Sequence, residues 1–355
     1  MADVETLGVV TTEVRETHRF DVAALEQYMR RHVEGFEGPL TVRQFHGGQS
    51  NPTYYLEAPS GRYVVRRKPP GKLLPSAHAV DREYRVITAL GHTDVPVPRT
   101  YALCEDPDVI GTAFYVMEYV HGRVMVDPVL PDVSPSERAQ LFDDMNRVLA
   151  CLHTVDWTAV GLADFGKPGN YFSRQIHRWT QQYRASETEK IEAMERLIEW
   201  LPGHIPEDDQ TTIVHGDYRS GNMIMHPTEP RVLAVLDWEL STLGHPLADL
   251  AYHCMPYRLG PGTLGGFVHE DLARLGIPPE AEYIATYCRR AGRASIPDWD
   301  FYVAFGMFRL SAIAQGIMGR VIAGTANDAR ARERGERARP LAEAGWAVIE
   351  ERGAR

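Results

Sequence analysis

Two hydrophobic patterns divide the chain. In "DVAALEQYMRRHV" (21–33) the apolar residues recur at helical spacing, which predicts an amphipathic helix. "LTVRQFHGGQSNPTYYLEAP" and "GRYVVRRK" (61–68) follow with strand character around glycine-rich turns. "SAHAVDREYRVITALG" (76–91) returns to helical spacing and stops at a glycine. "PVPRTYALCED" and "TAFYVMEYVHG" (112–122) read as further strands. The pattern up to about residue 120 therefore predicts five strands and one internal helix, after an arm over 1–20 that shows no period.

Beyond residue 120 helical spacing dominates. "SPSERAQLFDDMNRVLACLHTV" opens with Ser-Pro-x-Glu, a helix-start signature, and "YFSRQIHRWTQQYRAS" and "TEKIEAMERLIEWL" continue as helices. Two apolar runs, "TTIVHGDYRSGNMIM" and "RVLAVLDWEL", break the series, and helices resume from about residue 267. The segment 301–324 is long and apolar, but Arg309, Gln315 and Arg320 interrupt it, so it is expected to be a buried core helix rather than a membrane span. The charge-rich tail "ARARERGERARP" reads as a solvated helix face. A strand-rich lobe (21–120) followed by a helix-rich lobe (121–355) makes an α+β chain, and a ligand cleft is the expectation for such a pair.

Composition narrows the function. The formal net charge is −10 over 355 residues, which argues against a general binder of nucleic acid or anionic membrane while leaving room for a local basic pocket. Four cysteines stand without Cys-x-x-Cys spacing, and the N-terminus lacks the pattern of a signal peptide, so a reducing, cytoplasmic setting is expected.

The candidate chemistry lies in "HGDYRSGNMIM" (215–225). An ordinary turn needs its glycines but not His215, Asp217, Arg219 and Asn222 together. A carboxylate at Asp217 can accept a hydrogen bond from a substrate hydroxyl and orient it. The Asn222 amide oxygen is a hard, neutral donor suited to Mg²⁺. Asp237 follows the buried-looking run "RVLAVL", where a carboxylate must find a cation or donors. No Walker A motif is present, and no H-x-H-x-D pattern of a metal phosphohydrolase.

"HGDYRSGN" and "LDWE" (236–239) resemble the catalytic loop and metal-binding segment of the aminoglycoside phosphotransferase family, which has a protein-kinase-like two-lobe fold. The resemblance spans roughly residues 25–325 and implies an N-lobe with a five-stranded antiparallel sheet plus helix, a mostly helical C-lobe, and ATP and Mg²⁺ as cofactors. It makes Asp217 the residue that positions the acceptor hydroxyl, and Asn222 and Asp237 the Mg²⁺ ligands. Arg219 then stands near the γ-phosphate, and His215 braces the loop. Upstream, Arg66 occupies the place of the nucleotide lysine, with Arg67 or Lys68 as alternatives if the register differs, and Glu83 is its helix partner. The loop around Gly48, Ser50 and Asn51 would cap the phosphates, and Met117, Glu118 and Val120 would form the hinge against adenine. "GHPLADLAYHC" (244–254) is similar to the family's G-D-P-x-x-D-L-A segment with His245 in place of Asp, and Asp249 holds the loop. His153, on a helix of apolar period, reads as a hydrogen-bonded core residue.

The whole-chain pattern is closest to the branch related to kinase-like domains fused to acyl-CoA dehydrogenases. That implies a small-molecule hydroxyl acceptor of hydroxyacyl-CoA type rather than an aminoglycoside. Arg174, His177, Arg178 and Trp179, with Arg309 and Arg320, suit an anionic or partly apolar acceptor better than a polycation. Neither nucleic acid nor membrane is an expected partner; a homodimer or association with a metabolic enzyme is compatible with the sequence. The alternative is a nucleotide- or acyl-CoA-binding module without transfer activity, which Arg66 in place of lysine would favour.

Overall fold

The computed structural model describes residues 11–45, 51–70, 79–262, 265–326 and 330–353. The chain forms two compact units. The first takes the chain up to Val126 together with Trp157–Phe165 and Ser220–Ser241; the second holds Asp127–Asp156, Gly166–Arg219 and the chain from Thr242 onward.

In the first unit, helix α1 (Val22–His32) starts where the Asp21 carboxylate accepts the amides of Ala23 and Ala24, and it ends with Arg30, Arg31 and His32 in the last turn. An antiparallel sheet runs in the order β1 (Thr11–Thr12), β2 (Thr41–Phe45), β3 (Thr53–Ala58), β4 (Gly61–Arg67), β6 (Phe114–Glu118), β5 (Thr100–Cys104). Five of these strands match the hydrophobic pattern. The sixth, β1, falls within the expected arm: Thr11 and Thr12 pair with Phe45 and Gln44. Two residues are too few to show a period.

Alternation along the strands sorts side chains to two faces. Tyr54 and Leu56, Tyr63 and Val65, Phe114 and Val116 pack with Leu25 and Met29 of α1 and with Val33 just past it. Arg66 therefore belongs to the other face. There α2 (Val80–Leu90) buries Val80, Glu83, Val86, Ile87 and Leu90. The short helix α3 (Pro107–Ile110) connects β5 to β6. Arg82 reaches the carbonyl of Phe165 at 2.6 Å and stacks on its ring, while Arg85 takes the carbonyl of Gly161. These two arginines thus hold segment 157–165 in the unit. A second, two-stranded sheet pairs β8 (Met223–Met225) with β9 (Val232–Val235), Met223 opposite Val235.

The second unit is mainly helical. Helix α4 (Pro135–Thr154) begins with the Ser134 hydroxyl accepting the Glu137 amide, as its Ser-Pro-x-Glu start predicts. Helices α5 (Tyr171–Ala185) and α6 (Glu192–Trp200) follow. Strand β7 (Thr212–Val214) pairs antiparallel with β10 (Thr242–Gly244), directly before α7 (Pro246–Cys254). Then come α8 (Leu272–Leu275), α9 (Glu280–Arg290), α10 (Trp299–Ile322), α11 (Ala331–Glu336) and α12 (Ala338–Gly353). Helix α10 is long and apolar enough to cross a membrane by length and composition, yet 72% of its most apolar window is buried, in line with the expected core helix. In the charged tail, Ala331, Gly335 and Ala338 face inward while Arg337 and Arg339 pair with Glu333 and Glu189.

Candidate active site

Strand alternation settles which basic residue of "YVVRRK" faces α2. Arg66 lies opposite Tyr115 on β6 and Thr53 on β3, and its Nε stands 2.9 Å from Glu83 Oε2. Arg67 points to the opposite face, donating to the Ile110 carbonyl beneath the Phe20 ring, and Lys68 pairs with Asp81. Glu83 is only 1% exposed. Its carboxylate also accepts Asn51 Nδ2 at 2.7 Å and the Tyr115 hydroxyl at 3.2 Å. A charged carboxylate this deep is tolerable only with such donors. Burial pushes the Glu83 carboxyl up; Arg66, Asn51 and Tyr115 oppose that rise. Asn51, expected from sequence against the phosphates, is buried with its side chain on Glu83. The Gly48 and Ser50 positions lie outside the described residues.

Arg66 Nη2 also meets Asp237 Oδ1 at 2.5 Å and Glu239 Oε2 at 3.6 Å. Burial opposes charge on this guanidinium, but Glu83, Asp237 and Glu239 outweigh it and hold its pKa above the usual arginine value. One guanidinium thus faces three carboxylates. Asn222 and Asp237 stand at neighbouring ends of the β8–β9 pair: the Leu236 amide donates to the Asn222 carbonyl at 2.8 Å. Asp237 adopts a left-handed conformation (φ 66°, ψ 58°), uncommon for a residue with a side chain, directly before the buried Trp238, whose indole N–H donates to the Val235 carbonyl. An amide oxygen and a carboxylate are hard oxygen donors of the kind Mg²⁺ takes when phosphates and water complete its shell, so the residues present fit that ion.

Of the hinge residues, Met117 is buried in β6 opposite Val64, and Glu118 is exposed. The Glu118 amide donates to the Arg99 carbonyl, and its carboxylate accepts the Arg99 amide. Val120 is half-buried just past the strand.

The loop after β7 belongs to the helical unit as far as Arg219. Asp249, on α7, accepts the His215 amide at 2.5 Å and the Gly216 amide at 2.8 Å, the loop-holding task expected of it. His153 Nδ1 meets the Tyr287 hydroxyl at 2.7 Å, with Nε2 3.5 Å from Asp249. Gly216 takes φ 86°, a region side chains rarely enter. The buried His215 ring accepts the Asp217 amide at Nδ1, a bracing role. Asp217 Oδ1 accepts the Tyr252 hydroxyl at 2.5 Å, and Arg219 Nε lies 3.3 Å from both carboxylate oxygens. Arg309 donates to the Gly216 carbonyl at 2.7 Å and lies over the rings of Trp179 and Tyr252.

Sequence reasoning missed Tyr115, Glu239, Tyr252 and the loop-bracing task of Arg309. It grouped Arg309 and Arg174 with the acceptor residues, and both need correction. Arg309 is buried on the loop backbone, and Arg174 donates to the carbonyls of Gly169 and Lys167 at the start of its own helix. His177, Arg178 and Arg320 are exposed; Arg178 stacks on Trp179.

His245 substitutes for aspartate through its Nδ1, which accepts the Leu247 amide at 3.2 Å and caps α7. Burial pushes its pKa from the ordinary 6.5 to about 4, and burial does the same to His253, packed against Tyr218 and Tyr283. Both stay neutral when folded, while the unfolded chain takes up their protons below pH 6.5. Stability should therefore fall as pH drops from 6.5 towards 4, by up to about 1.4 kcal/mol per pH unit for each histidine. Denaturant midpoints at pH 7 and pH 5 check this. His245→Asn, which keeps a capping oxygen, should flatten the dependence.

The sheet with its buried Arg–Glu pair, the β8–β9 acid and the Asp217 loop define a protein of the kinase-like class. Residues 41–302 match the phosphotransferase enzyme family, and the chain belongs to it. A crystal structure from Ralstonia eutropha, provisionally assigned as an aminoglycoside phosphotransferase, is 58% identical and superposes with a TM-score of 0.87 over 94% of this chain and 99% of that one. Acyl-CoA dehydrogenase family member 10 of Mus musculus is 48% identical over 353 residues, 98% of this chain and 33% of the relative. The chain thus spans a third of that relative's length, and less than half that of other curated relatives it matches. Choline kinase from Cryptosporidium parvum, 13% identical with a TM-score of 0.62 over 93% of this chain and 96% of that one, shares the fold.

Proposed function

We propose that the chain is an ATP- and Mg²⁺-dependent kinase that phosphorylates a hydroxyl group of a small molecule. The observation that carries this reading is the Glu83–Arg66–Asp237 chain of ion pairs, which ties the α2 carboxylate to a cation on β4 and on to the acid after β9. Phosphoryl transfer needs placement and charge neutralisation more than covalent help. Arg66, fixed by Glu83, anchors the nucleotide phosphates. Asn222 and Asp237 would hold Mg²⁺, which would neutralise charge on the phosphate oxygens. Asp217 receives the acceptor hydroxyl and aims its oxygen for attack, and Arg219 approaches the transferring phosphate.

The acceptor in this reading is anionic or partly apolar, of hydroxyacyl-CoA type. Similarity to an acyl-CoA dehydrogenase family member over nearly the whole chain, and the exposed Arg178 beside Trp179, support it over a polycationic aminoglycoside. Four free thiols support a reducing, cytoplasmic compartment.

The test is incubation with ATP and Mg²⁺ and a panel of hydroxyacyl-CoA thioesters, hydroxy acids and aminoglycosides, with ADP and phosphorylated product followed by mass spectrometry. A phosphorylated thioester or hydroxy acid, lost on chelating Mg²⁺, is the expected outcome. ATP binding without ADP release for any acceptor would instead support a binding module, and product from aminoglycosides alone would overturn the acceptor class.

A further inference from the structure

Helix α7 touches the Asp217 loop twice. Asp249 and Tyr252 are three residues apart, so they share one helix face. Asp249 takes the amides of His215 and Gly216, and the Tyr252 hydroxyl donates to Oδ1 of the next residue, Asp217. One helix face thereby clamps three consecutive loop residues. The Tyr252 ring is in turn covered by the Arg309 guanidinium, which spans it and Trp179 while holding the Gly216 carbonyl.

We propose that Tyr252 is a positioning residue for phosphoryl transfer: its hydroxyl, donated to Oδ1, holds the Asp217 carboxylate in the orientation that meets the acceptor hydroxyl. This rests on the kinase reading above. Burial, followed by the Asp217 carboxylate, pushes the Tyr252 phenol well above its ordinary pKa, so it remains a donor. A carboxylate held less firmly would offer its oxygens in more orientations, and misplacement of a reacting group costs rate even where binding is intact. Arg219 cannot replace the tyrosine: its side chain is half-exposed and stands 3.3 Å from both oxygens alike, so it selects neither.

Tyr252→Phe removes the hydroxyl and keeps the ring under Arg309. With MgATP and whichever panel acceptor gives product, kcat should fall about 10–100-fold, the scale of one hydrogen bond to a charged group. KM for ATP should stay within about twofold, since Tyr252 acts through Asp217 and not on the nucleotide. In an Asp217→Asn background the same change should lower the residual rate no further, because the carboxylate it positions is already gone. An unchanged denaturant midpoint for Tyr252→Phe would separate positioning from folding. Equal kcat for wild type and Tyr252→Phe overturns the inference and leaves the kinase reading standing. A wild type that forms no ADP with any acceptor removes both.

Discussion

Asp217→Asn is expected to lower kcat about 10²–10⁴-fold while the fold and the affinity for ATP are kept. The substitution preserves shape, and the amide oxygen can still accept the Tyr252 hydroxyl, so the loop clamped by Asp249 has no reason to move. What disappears is the negative charge that draws the acceptor proton and aligns its oxygen. The groups assigned to the nucleotide phosphates, Arg66 and its partners, belong to the other compact unit and are untouched. The discriminating measurement is therefore paired: steady-state turnover, and ATP affinity by titration. Undiminished ADP formation in the variant would refute the role given to Asp217.

The second large effect is on stability. Arg66→Met leaves Glu83, 1% exposed, with Asn51 and Tyr115 as its side-chain donors among the described residues. Removing one member of a buried ion pair costs about 3–5 kcal/mol, because the other remains charged without its partner. Arg66 is the strongest influence holding the Glu83 carboxyl down against burial. Without it, Glu83 in the folded variant should hold its proton to higher pH than in the unfolded chain. The variant's deficit relative to wild type should accordingly be smaller at pH 5 than at pH 8, the Glu83 contribution being lost as pH rises, with the histidine contributions common to both proteins. Adding Glu83→Gln should recover much of the loss and abolish that pH dependence. Denaturation of the two variants at both pH values decides the matter; an Arg66→Met protein as stable as wild type would show that the pair is not buried as described.

The hydrophobic pattern disclosed five strands of the sheet, α1, α2 and the buried character of α10, because each is long enough to show its period. Strand β1 was hidden by its length, since only pairing with Phe45 and Gln44 defines it. The loop motif was legible because Asp217 and Asn222 sit within one short segment and Asp237 ends an apolar run. The register of "YVVRRK" was not, since either arginine satisfies the spacing; the Arg66–Tyr115 pairing on adjacent strands decides it. Tyr252 and Arg309 escaped for another reason. Tyr252 sits in an apolar helix and Arg309 reads as an acceptor residue interrupting one, and their partners lie far away in sequence. The spacing of Asp249 and Tyr252 did carry a signal, as both fall on one helix face.

The chain's path has a consequence for how the protein is made. The strand-rich unit is not finished at Val126; it also needs Trp157–Phe165 and Ser220–Ser241. On the ribosome, Arg66 and Glu83 emerge early, but Asp237 arrives only after about two thirds of the chain has been synthesised. The nascent sheet must wait, its Arg66 short of an acidic partner, while a large part of the helical unit is threaded in between. A fragment cut at the end of the first long segment would lack the acid that completes its own charge cluster.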